Sequence, residues 1–288
     1  MLFCLLWLNT IVNPRQHKLT PSQKDKVPNT KADTYTHLPN MRILSYWIFP
    51  IISGLVWLGM LLGMLLYWII DTHRAVYPSM SPPQSIAYIS DVGAYYLKPL
   101  FITGCVLTTV FLDLSFFSDR WLRHKGRLVP NTSVGEKILY GFTIFFAVVG
   151  TVGLICLSIF DTYRHKNLHL LFLLFFMGGY LLSAIFICWE YQRLGIKYPD
   201  HTYLAASFWI KLVFILVEIV LAIAFIVCNF KEIYNAAAIL EWIVAFIFSF
   251  YIFSFTVDLL PASKTRNKAN RFSKPGMSQW TGAGPGNF

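Results

Sequence analysis

Two sets of residues in this chain have types and spacings that could do chemistry. The first is Asp161, His165 and His169, whose four-residue repeat would bring one acid and two imidazoles to a single helix face, as metal ligands require. A metal site needs three or four converging donors. Here no HExxH follows and no matching histidine pair lies in another apolar stretch. Interface hydrogen bonding is the plainer role for the trio; no metal or other cofactor is expected, and an intramembrane metal-dependent lipid enzyme stands as the competing class. The second set is Lys211 and Glu218, both inside the apolar run 204–228. Seven residues put them on nearly one helix face but about 10 Å apart along the axis, too far for a direct ion pair. Each needs partners from other helices.

The rest of the chain has the composition to supply them. Its 288 residues are 56% hydrophobic, 17% aromatic and only 13% charged, far too apolar for a soluble domain of this size. Six apolar stretches, roughly 46–70, 99–117, 138–160, 168–189, 204–228 and 236–260, each approach the twenty residues of a membrane-spanning helix. The expected fold is all-α, an integral membrane bundle of six transmembrane helices. Residues 42–261 form that domain, and no connection is long enough to hold a second, soluble one. Residues 1–41 read as a disordered extension or a mis-assigned start, with Met41 the preferred beginning, and 262–288 as a basic disordered tail.

The net charge of +10 sorts by loop. With the N-terminus inside, eighteen Lys/Arg fall on the cytoplasmic side and five outside, an asymmetry that places both termini in the cytoplasm. Topology accounts for the basic charge, so no nucleic-acid partner is expected. The five cysteines show no CxxC spacing and are expected as free thiols.

Depth then suggests the pairing inside the membrane. Lys211, in the inner half, is level with Asp113, with Asp258 and Glu190 nearer the headgroups. Lys98, at the outer edge, can approach Glu241 or Asp91. Glu218 has no cation at its depth and is expected to bond hydroxyls drawn from Thr108, Thr109, Thr151, Tyr180 and Ser249. Asp113, Lys211, Glu218, Glu241 and Asp258 thus form an expected intramembrane polar cluster. Holding helices together is its ordinary role, and a proton or lipid-headgroup site is the functional one. A proton-coupled carrier would also call for inverted repeats or paired broken helices, which the sequence lacks. Gly59 and Gly63, Gly150 and Gly153, and Gly179 with Ser183 offer small surfaces for close helix contact.

At the cytoplasmic edge Arg120, Arg123, Lys125 and Arg127 surround Trp121, and Lys264, Arg266, Lys268, Arg271 and Lys274 follow the last span with no acid among them. Such clusters suit anionic phospholipids, including phosphoinositides, although positive-inside charge alone would also produce them. Phosphorylation at Ser263 or Ser273 would weaken attachment of the tail. The sequon Asn131-Thr-Ser133 is cytoplasmic in this topology and so stays unmodified.

Between the first two spans lies Tyr88-Ile-Ser-Asp-Val-Gly-Ala94, followed by Lys98-Pro99. Ser90 and Asp91 can cap the helix entering the bilayer, and Gly93 permits close backbone approach. This stretch resembles the signature of the FRAG/DRAM/Sfk family of six-span membrane proteins. In order, WLRHKGRLVPN (121–131), SIFDTYRH (158–165), SAIFICWEYQRLG (183–195), ASFWIKLVFILVE (206–218) and YNAAAILEW (234–242) most resemble its fungal Sfk-type members. The similarity covers about 42–261. It implies a non-enzymatic plasma-membrane regulator of phosphoinositide production by a phosphatidylinositol 4-kinase and of phospholipid organisation. Other branches imply remodelling of lipid or glycosylphosphatidylinositol anchors, or modulation of autophagy, in the endoplasmic reticulum, Golgi or vacuole.

Overall fold

The computed structural model describes residues 45–265 and Phe272. Among these residues every regular element is helical, and six helices are long and apolar enough to cross a membrane. α1 is Ile48–Leu66, prolonged by a π-helical turn over Tyr67–Asp71. The short α2, Ile89–Val92, stands in the long connection that follows. The other spans are α3, Lys98–His124; α4, Val134–Ile159; α5, Lys166–Lys197; α6, Thr202–Phe230; and α7, Tyr234–Leu259. A last turn, α8, is Pro261–Lys264.

The helices outrun the apolar windows, α5 by eight residues past the expected end at 189 and α3 by seven past 117. The extra turns of α3 are amphipathic: Asp119 and Arg123 pair at i,i+4, and Leu122 is fully buried. Of the expected basic edge, Arg120 and Arg123 therefore lie on α3, and Lys125 and Arg127 follow it. α4 starts sharply because Ser133 Oγ accepts from the Glu136 amide while the Glu136 carboxylate accepts from the amides of Thr132 and Ser133. In the sequon, Asn131 Nδ2 donates to Glu190 Oε1 at 2.6 Å.

The spans pack as a ring, α1–α3–α4–α5–α6–α7 and back to α1, with α3 also touching α7. Side chains donating to carbonyls tie the ring, as with Ser53 to Thr108 at 2.7 Å and Trp57 to Ala245 at 2.9 Å. Small residues let α4 and α5 meet backbone to backbone: a Cβ on Gly179 would lie 2.5 Å from Gly150 N, and one on Gly153 would lie 2.4 Å from Phe176 N. The Gly59–Gly63 pair does not act this way. Both glycines are exposed, because the buried stripe of α1 runs through Ser53, Trp57, Met64 and Trp68 on another face. Gly54 makes the close contact instead, beneath the Phe253 ring.

Candidate functional site

The buried polar residues of the bundle and its connections separate into three groups. At the basic end, Lys211 Nζ donates to Asp258 Oδ2 at 2.6 Å and to Ser207 Oγ at 2.7 Å, and Ser207 donates to the other Asp258 oxygen. Lys211 is wholly inaccessible and Asp258 is 2% exposed. The rings of Phe255 and Tyr191 enclose the ammonium at 4.7 and 4.9 Å, and Arg123 lies 5.1 Å from the same Tyr191 ring. This corrects the expected pairing of Lys211 with Asp113. Level depth is not adjacency: α6 packs on α5 and α7, while α3, which carries Asp113, lies across the ring. Asp113 instead ends a relay through three helices, in which Thr151 Oγ1 lies 2.8 Å from Tyr180 Oη and donates to the Asp113 carboxylate at 3.1 and 3.2 Å.

Arg123 also differs from expectation. Far from facing lipid, it is 3% exposed, paired with Asp119 at 2.7 Å, and donates to the Val129 carbonyl at 3.0 Å. Of the other predicted lipid-contact bases, Arg120 lies over Tyr140, Lys125 is exposed over Trp121, and Lys264 is exposed on α8. Arg127 reaches the Ala262 carbonyl at 2.6 Å, and Thr265 donates back to the Arg127 carbonyl. Arg266, Lys268, Arg271 and Lys274, with Ser273 and residues 1–44, lie outside the described residues.

At the far end, Asp91 accepts from Ser79 Oγ at 2.6 Å, Tyr88 N at 3.0 Å and Gln84 Nε2 at 3.2 Å. It therefore secures the start of α2, not of the span α3, which begins at Lys98 with Pro99 in its first turn. Ser90, inside α2, caps neither helix. Gly93 does sit in close quarters, since a Cβ there would come within 2.7 Å of Phe101.

Lys98 pairs neither with Glu241 nor with Asp91 but with Asp161, at 2.7 Å. Burial alone would raise the Asp161 carboxyl, yet the Lys98 hydrogen bond, the Arg164 amide and their charges together hold it below the ordinary carboxylate range. His169 Nδ1 lies 2.9 Å from the Phe160 carbonyl, and His165 is exposed with its ring against Phe160. Asp161, His165 and His169 thus serve the turn separately, and among the described residues no group of His, Cys, Asp or Glu has the geometry to hold a metal.

The third group lies between these two. A cavity of about 370 Å³ opens among α5, α6 and α7, its walls almost entirely apolar except for Glu218, Glu241 and two tyrosines. Glu241 accepts from the Ile89 amide at 2.9 Å, tying the connection between α1 and α3 to α7. Glu218 makes no hydrogen bond or ion pair among the described residues, and its Oε1 is buried. The hydroxyls expected to serve it do not bond it. Thr109 bonds back to the Cys105 and Val106 carbonyls, Thr151 serves Asp113, and Ser249 and Thr108 leave their hydroxyls unpartnered.

With six spans arranged around these groups, comparison with known proteins is informative. The family described as Frag1/DRAM/Sfk1/Cwh43P N-terminal domain matches residues 45–262. This chain belongs to that family. Among its relatives are Protein sfk1 of Schizosaccharomyces pombe, 33% identical over 235 residues that cover 81% of this chain and 69% of the relative. Protein SFK1 of Saccharomyces cerevisiae is 32% identical over 183 residues, covering 54% of this chain and 52% of the relative. The chain thus spans about half the length of the second. No solved structure matches it.

Within this Frag1/DRAM/Sfk1 domain, the motifs that carry the Sfk-type resemblance hold the polar contacts just described. ASFWIKLVFILVE contributes Ser207, Lys211 and Glu218; SAIFICWEYQRLG contributes Glu190 and Tyr191; YNAAAILEW contributes Glu241 and Trp242, whose indole donates to the Ala87 carbonyl at 3.0 Å. Sequence reasoning passed over three partners: Asp119, Ser207 and Tyr191. The first two had a visible signal, since each precedes a buried cation by four residues on one helix face.

Proposed function

We propose that this Sfk-type protein is a non-enzymatic, multi-pass regulator at the plasma membrane that gathers anionic lipid around its basic end and so promotes phosphoinositide production by a phosphatidylinositol 4-kinase. One observation carries this reading: the start of the basic tail is tied to the connection between α3 and α4, through Arg127 to Ala262 and Thr265 to Arg127. That tie brings exposed Lys264 to the same edge as exposed Lys125 and Trp121. Each base near an anionic leaflet contributes about 1 kcal/mol, and an indole beside them suits the headgroup layer. The Sfk-type resemblance supplies the kinase and the wider effect on phospholipid organisation.

The test replaces Lys125, Lys264 and the tail bases Arg266, Lys268, Arg271 and Lys274 with Gln, in cells matched for surface protein. The expected result is intact membrane insertion with reduced recruitment of a phosphatidylinositol 4-phosphate sensor to the plasma membrane. Unchanged recruitment would leave these bases as topology signals and defeat the proposal.

A further inference from the structure

The cavity among α5, α6 and α7 has no part in that reading, and its chemistry points to a ligand of its own. Its rim includes Leu170 and Leu174 of α5 and Ile226 of α6, all exposed on the outer surface of the bundle. The space therefore opens sideways between α5 and α6, where its surroundings in a bilayer are hydrocarbon. α6 is also the least buried of the six spans. An occupant must consequently enter from the membrane and be mostly apolar.

The deep end is different. Glu218 and Tyr251 both line this one cavity, and among the described residues Glu218 Oε1 and Tyr251 Oη are buried without a hydrogen-bond partner. Tyr251 is only 4% exposed. Helical side chains lean toward the N-terminus of their own helix, and α6 and α7 run in opposite directions, so Glu218 and Tyr251 incline toward one another. Glu218 lies about 18 Å from the far end of α6 at 1.5 Å per residue, near the middle of a hydrocarbon layer about 30 Å thick. A polar group held there cannot be a headgroup resting at the interface. It must be small enough to be carried to mid-depth, and it must both donate and accept. A hydroxyl does both.

We propose that this cavity binds a single-chain lipid ending in a hydroxyl, taken up laterally between α5 and α6, with the hydroxyl held by Glu218 and Tyr251 and the chain lying along the apolar wall toward the mouth. A volume of about 370 Å³ is near the low end for small-molecule sites, which suits one chain and excludes a two-chain phospholipid with its headgroup. Among the described residues neither carboxyl of the cavity is paired with a cation, so a neutral end group fits better than an anionic one.

The test uses the purified full chain in phosphatidylcholine nanodiscs with three photoreactive probes: a long-chain alcohol, its methyl ether, and a phosphatidylcholine bearing the same photoreactive chain. The alcohol should label the α5 and α6 segments that line the cavity roughly fivefold more than the ether, the ratio for one hydrogen bond of about 1 kcal/mol. Glu218→Leu combined with Tyr251→Phe should abolish that preference while ether labelling continues. Leu174→Trp at the mouth, a lipid-facing substitution, should lower labelling by both single-chain probes. Equal labelling of the unmodified protein by all three probes would mean that these helices merely face bulk lipid, and would overturn the proposal without any variant. A preference for the alcohol that survives the double substitution would overturn the assignment of Glu218 and Tyr251.

Discussion

α6 carries two ionisable residues on one face, and the structure treats them in opposite ways. Lys211, toward the basic end, is closed in by Asp258, Ser207 and two aromatic rings. Glu218, two turns farther on, borders open space and has no partner among the described residues. Both sit in the same apolar segment, so hydropathy does not separate them. What differs is the neighbour: near Lys211, α7 presents a carboxylate, whereas beside Glu218 the helices part and the wall is apolar. A charge met by a counter-charge closes the bundle and belongs to its architecture. A polar group left facing a cavity marks where something other than the protein completes the contact.

That contrast is broken most forcefully at the closed end. Lys211→Ala leaves Asp258 buried without its counter-charge, and removal of one partner of a buried pair costs about 3–5 kcal/mol. Little monodisperse protein should survive extraction and size-exclusion chromatography. The charge swap Lys211→Asp with Asp258→Lys should recover part of the yield. The swap Lys211→Asp with Asp113→Lys should recover none, because α3 and α6 stand on opposite sides of the ring. Recovery by the second swap alone would refute the assigned pairing.

Packing between α4 and α5 should come next in size. Gly179→Leu would drive a side chain into the Gly150 backbone, which lies 2.5 Å from the position of a Cβ. Overpacking of this kind costs about 1–3 kcal/mol, to be read as a lower midpoint of thermal aggregation in detergent. Gly59→Leu, which meets nothing within 4 Å, should leave the midpoint where it was.

A smaller effect is expected at the far end, where Lys98 and Asp161 join α3 to the turn between α4 and α5. The Asp161 carboxyl is held below its ordinary range, so its contribution is fully present above the unfolded value of about 3.9 and is lost as pH falls through the lower folded value. Hydrogen exchange in the 160–165 turn should be unaffected between pH 7 and 5, after correction for intrinsic rates, and rise only in stronger acid. With Lys98 partly exposed, the stabilisation lost should be at most about 1 kcal/mol.

These expectations also mark what the chain disclosed unaided. Six crossings were legible because each is a long apolar run, and the residues of the polar groups were legible because a charge inside such a run needs a reason. Partners were not. Depth matches Lys211 to Asp113, but depth is one coordinate of three, and the order of helices around the ring leaves no mark in hydropathy. Basic neighbours group Arg123 with the lipid-facing bases; its burial follows from α3 running on past the apolar window, with Asp119 one turn earlier to receive it. The cavity was invisible for a related reason: it is a property of where α5, α6 and α7 diverge, and each of its apolar walls reads as an ordinary span.

The smallest effect on the fold, and the sharpest test of the contrast, belongs to Glu218. If its carboxyl served the architecture as Lys211 does, Glu218→Leu would cost several kcal/mol. Among the described residues no neighbour is left unpaired by the change, because none bonds it. Replacing a partly buried carboxyl, one of whose oxygens is buried without a partner, with an apolar side chain of similar size removes a desolvation cost and breaks no hydrogen bond. The expected outcome is therefore a melting midpoint equal to or above that of the unmodified protein, measured in detergent beside Lys211→Ala prepared in the same way. A loss of stability on the scale of Lys211→Ala would show that Glu218 belongs to the closed architecture after all, and the distinction between the two halves of α6 would fall. If stability holds, a carboxyl at the middle of the membrane that contributes nothing to folding is most economically explained by what it binds.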